Sequence, residues 1–409
     1  MTRPPRITVL GFTQPDDVID RVTERSAVLP TQTHRFAWNL VDALASGGAE
    51  VSLLSSLPVP DHPQFPELVI RSKRFEARGL SGLSMGFVNA LVLKHISRTL
   101  QCATRGRRFI REARPDAVVV HGVHTPFLRF ARGLRRRGIR VIAVLTDAPG
   151  VVRPSDGPLA RLLKRLDRRG VARVLADFDG VIALTAGLAE DFAPGVPALV
   201  FPGFAPVIEE RTRAERTGDA FVVAYAGGLS PEYGVGSLVE AVAGSSSGAL
   251  RLDVYGRGEL EPWVIARSAE DSRIRYRGTL PPERLHPLLG AADVLVNPRR
   301  LTGEHVRYSF PSKLLEYAAL GVPTVTTPLP AIPEGSREAF VIAAGDEPGD
   351  LRAAIERIQG WSAEERRDFA RRARATVLAQ SSPQRLGDDI VGFAVRGHPR
   401  QDIEEQRLD

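Results

Sequence analysis

Short runs of β-branched and other apolar residues alternate with longer amphipathic stretches along the whole chain, and this rhythm limits the fold more than any other feature. In the first half the strand-like runs are residues 7–12, 51–55, 117–121, 140–146, 180–184 and 198–201, with helical patterns at 35–46, 88–113, 127–137, 159–175 and 186–192. After a polar stretch at 203–219 the rhythm restarts. Strands are expected at 221–226, 251–255, 274–277, 294–297 and 324–326, with helices beginning near Val235, Glu259, Pro282 and Pro311 and continuing after Gly349. Strand, helix, strand is the pattern of parallel sheets with crossover helices, so the chain reads as α/β throughout.

The chain has 409 residues, more than one hydrophobic core usually serves. The expected organisation is a Rossmann-like domain at 1–203, a linker at 204–219, a second Rossmann-like domain at 220–382, a terminal helix at 383–396 returning to the first domain, and a charged tail at 397–409. Two doubly wound domains facing each other would leave a cleft between them. Cys102 is the single cysteine, which rules out an internal disulfide and a thiolate metal cluster. There is no signal-peptide pattern at the start and no run of 18 apolar residues, so a cytoplasmic protein is expected. The net charge of +7 is uneven: residues 1–203 hold 29 Lys and Arg against 18 Asp and Glu, and the remainder 26 against 30. Arginines gather at 105–114, 129–140 and 161–173, in helical stretches. They are either solvated outer faces or a basic surface for an anionic membrane. No aromatic residues are interleaved with them as base-stacking platforms, so nucleic acid is not an expected partner.

In open α/β sheets, ligands bind beyond the carboxyl ends of the strands. That rule selects His121, His124, Thr146, Asp147 and Thr185 in the first half. In the second it selects Gly227, Gly228, Gly256, Arg257, Gly258, Gly278, Thr279, Arg299 and the segment 309–316. His121 and His124 suit cleft contacts to an acceptor or sugar, and no third ligand follows at a metal-binding spacing. Asp147 either orients an acceptor hydroxyl or forms an Asx turn ahead of Pro149. The Asp177-Phe-Asp179 sequence precedes a strand and therefore belongs at the wrong end of a sheet for a ligand site.

The most informative segment is Ser309-Phe-Pro-Ser-Lys-Leu-Leu-Glu316. Pro311 suits a first helical turn with Ser309 or Phe310 as cap, which would leave the amides of Ser312 and Lys313 unpaired as an anion site. Lys313 is one of only four lysines and the only one beyond residue 203. Glu316 falls on the same helix face one turn deeper, where a carboxylate can accept two ribose hydroxyls while phosphates hold the helix start. The alternative is a capped helix carrying a Lys313 to Glu316 surface pair.

The second half resembles the donor domain of the family-4 glycosyltransferases with a GT-B fold. The stretches that carry the resemblance are Ala226-Gly-Gly-Leu229 with Gly234-Val235, Tyr255-Gly-Arg-Gly258, Arg277-Gly-Thr-Leu280, residues 291–298 and residues 309–323. The resemblance implies a nucleoside diphosphate sugar as co-substrate, no other cofactor and no metal. It also implies transfer to a hydroxyl acceptor with retention of configuration, in glycan, glycolipid or glycoconjugate biosynthesis. By the same resemblance Glu316 binds the donor ribose, Gly227 and Gly228 lie beside the diphosphate, and Gly278, Thr279 and Leu280 line the base.

The departures matter as much. Many members carry an Arg and a Lys in the glycine loop, where this chain has Gly228 and Tyr233. Lys313 is the first substitute for that charge and Arg299 the second. The family's paired glutamates are separated by seven residues, and here Tyr308 stands at the first position, so Glu304 or His305 is a further candidate for the sugar. The His that often ends the fourth strand is Thr146, followed by Asp147, and the usual glycine pair is missing from 30–36. The catalytic candidates are therefore His121, Asp147 and Lys313. A nucleotide-sugar epimerase of similar shape, acting without an acceptor, and a non-catalytic donor-binding subunit are the alternatives.

Overall fold

The chain divides into two compact units, Met1–Phe201 with Pro383–Asp409, and Pro202–Ser382. The computed structural model describes residues 3–25, 31–150, 157–206, 208, 220–303 and 305–398.

Among the described residues, the first unit is built on an eight-stranded sheet. Its strands are β1 (Arg6–Gly11), β2 (Glu50–Ser56), β3 (Lys73–Ala77), β4 (Leu80–Met85), β5 (Ala117–His121), β6 (Arg140–Leu145), β7 (Gly180–Ala183) and β8 (Ala198–Val200). They lie in the order β8-β7-β6-β5-β1-β2-β4-β3. All neighbours are parallel except the β3/β4 hairpin. β5 and β6 are buried on both faces, which is why they read as unbroken apolar runs. The last helix of this unit, Pro383–Arg396, packs on the helix Thr31–Ser46. There Gly47 and Gly387 bring two backbones so close that a Cβ on Gly47 would lie within contact-forbidding distance of the Gly387 carbonyl.

Two elements of this unit escape the apolar rhythm. The helix Asp16–Glu24 buries only Ile19 and Val22, an amphipathic pattern confined to two turns. The β3/β4 hairpin is charged along its first strand and turns at Arg78 and Gly79, with φ of 51° and 76°. Two successive left-handed residues are what a tight hairpin turn requires, and Gly79 is the one position where the sequence signals it.

The second unit carries a six-stranded sheet among the described residues: β9 (Phe221–Ala226), β10 (Leu250–Tyr255), β11 (Ile274–Tyr276), β12 (Val294–Asn297), β13 (Thr324–Thr326) and β14 (Val341–Ile342). The order is β11-β10-β9-β12-β13-β14, all parallel. Val223, Leu252, Val254, Val294 and Val296 form its core with Leu238, Val242, Leu351 and Ile355 from the covering helices. Each such side chain contributes about 1.5–3 kcal/mol as an upper estimate. Phe204 and Ala205 are buried, and the Ala205 amide donates to the Ser381 carbonyl at 2.7 Å. The start of the expected 204–219 linker therefore belongs to this unit, and residues 207 and 209–219 lie outside the described ones. The expected tail is described only at Gly397 and His398.

No helix among the described residues is long and apolar enough to cross a membrane. Each sheet reverses its winding once, between β1 and β5 in the first unit and between β9 and β12 in the second. Those reversals open a crevice at the carboxyl edge, where α/β sheets bind ligands.

Candidate functional site

In the second unit the reversal lies between the loop after β9 and the loop after β12. Gly227, after β9, donates its amide to the Tyr255 carbonyl at 3.0 Å, and Gly256, after β10, donates to the Gly278 carbonyl at 2.9 Å. The Leu229 amide reaches the Arg257 carbonyl at 3.0 Å. Gly227, Gly228, Gly256, Arg257 and Gly278, all selected from the sequence, are thus brought edge to edge. Gly256 has φ 136°, and a Cβ there would sit 1.8 Å from the Gly227 oxygen. Only glycine permits this approach. Arg257 and Thr279 are exposed, and Leu280 packs against the cluster containing Ala226 and Tyr317.

Hydroxyls brace these loops from below. Tyr225 donates to the Gly228 carbonyl at 2.7 Å, Tyr276 to that of Gly256 at 2.9 Å, and Thr327 to that of Arg299 at 2.7 Å. The Tyr317 hydroxyl accepts from the Ala226 amide at 2.8 Å and donates to the Ala226 carbonyl at 3.0 Å. Buried backbone groups at strand ends need partners, and each of these hydroxyls fixes a strand end or the loop that follows it. Sequence reasoning missed all four. For Tyr225, Tyr276 and Thr327 the signal available was a Tyr or Thr at or just past a strand end, which is indistinguishable from ordinary strand composition, and Tyr317 lies inside the helix Ser312–Ala319 and reads as an ordinary core aromatic.

Arg299, after β12, is 8% exposed. Its guanidinium lies 5.6 Å from the centre of the Tyr233 ring, and its Nε is buried without a hydrogen-bond partner. No carboxylate among the described residues pairs with it. Burial pushes its pKa down, and the neighbouring Tyr233 and Glu232 oppose that shift. The backbone beside it is held by Gly234, with φ 72°, where a Cβ would meet the Pro298 oxygen at 1.8 Å. A desolvated cation that makes no direct ion pair among the described residues, at a sheet reversal, fits an anionic ligand.

The helix Ser312–Ala319 begins one residue later than the sequence suggested, with Pro311 as its cap and Ser312 exposed at the first turn. Ser309 is half-buried. Lys313 is engaged, its Nζ lying 3.1 and 3.0 Å from the two Glu316 oxygens. His286 Nε2 adds a third contact at 3.3 Å to Oε1. Burial works to raise the Glu316 pKa, but the hydrogen bond with His286 and the charge of Lys313 outweigh it and bring the carboxyl down to about 2. The Lys313 to Glu316 pair expected as the bland alternative is therefore present, yet it is partly buried and tied to a histidine that nothing in the sequence spacing singled out. Because Glu316 precedes Tyr317, it sits one residue from the side chain that grips Ala226, immediately before Gly227. Glu304 lies outside the described residues, and of His305 only its backbone place at the start of the helix His305–Tyr308 is described.

In the first unit His121 ends β5, next to β1, where a Cβ on Gly11 would lie 3.1 Å from the His121 oxygen. His121 is 1% exposed, stacks on Phe36 at 5.3 Å, and has both ring nitrogens buried without partners. Burial lowers its pKa to about 4, so the ring is neutral at pH 7. His124 caps the helix Thr125–Arg135 and packs edge-on against Phe127 at 4.7 Å, with Nε2 3.4 Å from Arg98 Nη1. Burial first, then the charges of Arg98, His95 and Lys94, bring its pKa to about 3. The two histidines therefore have separate surroundings. The Thr146 hydroxyl donates to Asp147 at 3.0 Å, and Asp147 is exposed. Thr185 is spent on capping the helix Ala186–Phe192. Asp177 pairs with Arg132, and Asp179 with Arg135 and the Val141 amide, at the amino edge of the sheet. Among the described residues no group of three or more His, Cys, Asp or Glu is gathered as metal ligands would be.

Two family models match. Residues 220–359 match the glycosyl transferases group 1 model and residues 33–200 the glycosyl transferase 4-like domain. No curated protein matches by sequence. Solved structures of similar fold include a trehalose-6-phosphate protein from E. coli bound with UDP-2-fluoro glucose, at TM-score 0.66 and 12% identity, covering 97% of this chain and 100% of that one. HepE from Anabaena, in complex with UDP, has a TM-score of 0.58 at 13% identity over 95% and 99%. The lipopolysaccharide outer core galactosyltransferase WaaB has a TM-score of 0.60 at 15% identity over 95% and 99%.

Proposed function

Because the chain belongs to the family-4 glycosyltransferases with a GT-B fold, we propose that it moves a sugar from a nucleoside diphosphate sugar to a hydroxyl acceptor with retention of configuration. The product is a glycan, glycolipid or glycoconjugate. The observation that carries this reading is the presence at one sheet reversal of an ionised, hydrogen-bonded Glu316 and a buried Arg299 that makes no ion pair among the described residues, with Tyr317 tying the Glu316 helix to the strand end before the glycine loop. The fold neighbours crystallised with UDP-2-fluoro glucose and with UDP support a nucleotide donor.

In this reading the Glu316 oxygens accept two ribose hydroxyls in place of Lys313. Lys313, released toward the helix start, then joins Arg299 and the amides of Ser312 and Lys313 on the diphosphate. Gly227 and Gly228 let the diphosphate approach backbone, and Gly278, Thr279 and Leu280 border the base. As the sugar–oxygen bond breaks, negative charge grows on the departing diphosphate, and these fixed cations and amides stabilise it without a metal. Among the first unit's candidates the exposed Asp147 is the one open to an acceptor hydroxyl, the His121 ring being buried and neutral at pH 7. A reducing, cytoplasmic setting accords with the single thiol, Cys102, which burial pushes up to about 12.

The test is a thermal-shift and turnover screen over nucleoside diphosphates and their sugars, with product configuration read by NMR. Glu316→Gln is expected to weaken donor binding about 10- to 100-fold, the loss of hydrogen bonds to a charged group. The reading fails if no nucleotide sugar binds, or if Glu316→Gln binds as tightly as the parent.

A further inference from the structure

The helix Leu91–Gln101 in the first unit is turned inside out. Its buried side chains are Lys94 and Arg98, while Leu91, Val92, Leu93, Ile96 and Leu100 are each more than half exposed. The inward cations are anchored. Lys94 donates to the Val59 carbonyl and to Asp61, both at 2.7 Å. Arg98 donates to the Leu57 carbonyl at 2.7 Å and lies 4.0 Å from the centre of the Phe87 ring. Rolling the helix to bury its leucines would break both networks and leave two cations unpaired, so the apolar face is locked outward.

Val92, Ile96 and Leu100 stand at i, i+4 and i+8 and form one stripe. Exposed Leu68 and Val69 extend it, since the Leu68 carbonyl accepts from the Asn89 amide just ahead of the helix. The rod continues through Cys102–Gly106 into Arg107–Ala113 and carries exposed Arg105, Arg107 and Arg111. Exposed Arg71 and Lys73 flank Ser72, which contacts Gln101 at 3.4 Å.

We propose that this face docks on the surface of an anionic phospholipid bilayer, with the leucine stripe inserted among the lipids and the arginines at the headgroups. Its charge selects this occupant. A second copy would bring the same cationic rim against itself, in a half of the chain with 29 Lys and Arg against 18 Asp and Glu, whereas an anionic bilayer complements both apolar stripe and rim. The inference is independent of the donor site and survives its failure.

Flotation of the full chain with vesicles tests it. The protein is expected to float with phosphatidylcholine vesicles containing phosphatidylglycerol, to stay behind with phosphatidylcholine alone, and to be released by high salt. The double variant Ile96→Glu, Leu100→Glu should stay unbound while melting like the parent, because both positions are solvent-facing. Removing Arg105, Arg107 or Arg111 by alanine should lower partitioning about fivefold each. No flotation on anionic vesicles overturns the proposal. So does flotation unchanged in the double variant, or a dimer in sedimentation velocity that the same variant dissolves.

Discussion

Arg299 gives the sharpest prediction, because function and stability should move in opposite directions when it is replaced. Arg299→Met keeps a long apolar stem and removes a buried cation that has no carboxylate partner among the described residues. Relief of a buried, under-paired donor is about 1–3 kcal/mol, and the lost contact with the Tyr233 ring is about 0.5–1 kcal/mol. The nucleotide-free variant should therefore be as stable as the parent or up to about 2 kcal/mol more so, a rise of about 2–4 °C per kcal/mol for a unit of this size. Ligand response should fall. At a nucleoside diphosphate concentration 100 times the parent dissociation constant, binding stabilises the parent by about 2.7 kcal/mol. If the variant binds about 100-fold more weakly, the same concentration adds only about 0.4 kcal/mol. Scanning fluorimetry with and without nucleotide reads both quantities. A variant that melts well below the parent without nucleotide, yet keeps the full nucleotide shift, would refute the assignment of Arg299 as the diphosphate's counter-charge.

Two further outcomes follow from the same geometry. Tyr317→Phe removes both hydrogen bonds to Ala226 and should destabilise the second unit by about 1–3 kcal/mol and weaken nucleotide binding, measured by urea unfolding and calorimetry; a variant unchanged in both would show that the brace is dispensable. His121 and His124 have folded pKa values of about 4 and about 3, below the ordinary value of 6.5, so the unfolded chain takes up protons that the folded chain refuses. Stability is complete above pH 6.5 and is lost as pH falls toward 4, by about 1.4 kcal/mol per pH unit per histidine, and His121→Leu should roughly halve the slope of melting temperature against pH in that window.

How far the sequence led depends on where physical signal is carried. Val294–Asn297 and Ala117–His121 are continuous apolar runs buried on both faces, and their boundaries follow directly from the letters. The strand Lys73–Ala77 is mostly charged and the helix Asp16–Glu24 spans little more than two turns, so their apolar patterns are too brief to stand out from loop. At the site, the strand-end rule found the glycines, Arg299 and Glu316. It ranked Lys313 above Arg299 as the source of positive charge, and without a ligand Lys313 is occupied by Glu316 while Arg299 makes no ion pair among the described residues. The Lys313 to Glu316 pair is readable from its three-residue spacing, but the burial of Arg299 beside Tyr233 depends on a contact across more than 60 residues, which spacing does not encode. The helix Leu91–Gln101 shows the same limit from another side: its amphipathic period is plain in the letters, but which face turns inward is decided by Asp61, Val59 and Leu57, supplied from more than 30 positions upstream.

The helix Pro383–Arg396 closes a unit whose other residues end at Phe201. Phe393 lies against Gly180 at the floor of β7, and the Ala394 carbonyl takes a hydrogen bond from Arg140 at 3.0 Å. During synthesis the whole second unit leaves the ribosome before this helix does. The early half therefore waits, incompletely sealed along the groove beside Thr31–Ser46, until the helix Pro383–Arg396 has itself been translated. A nascent chain stalled before Pro383 would carry a finished second unit and an unfinished first one, and proteases should meet the first unit as the vulnerable end of the molecule.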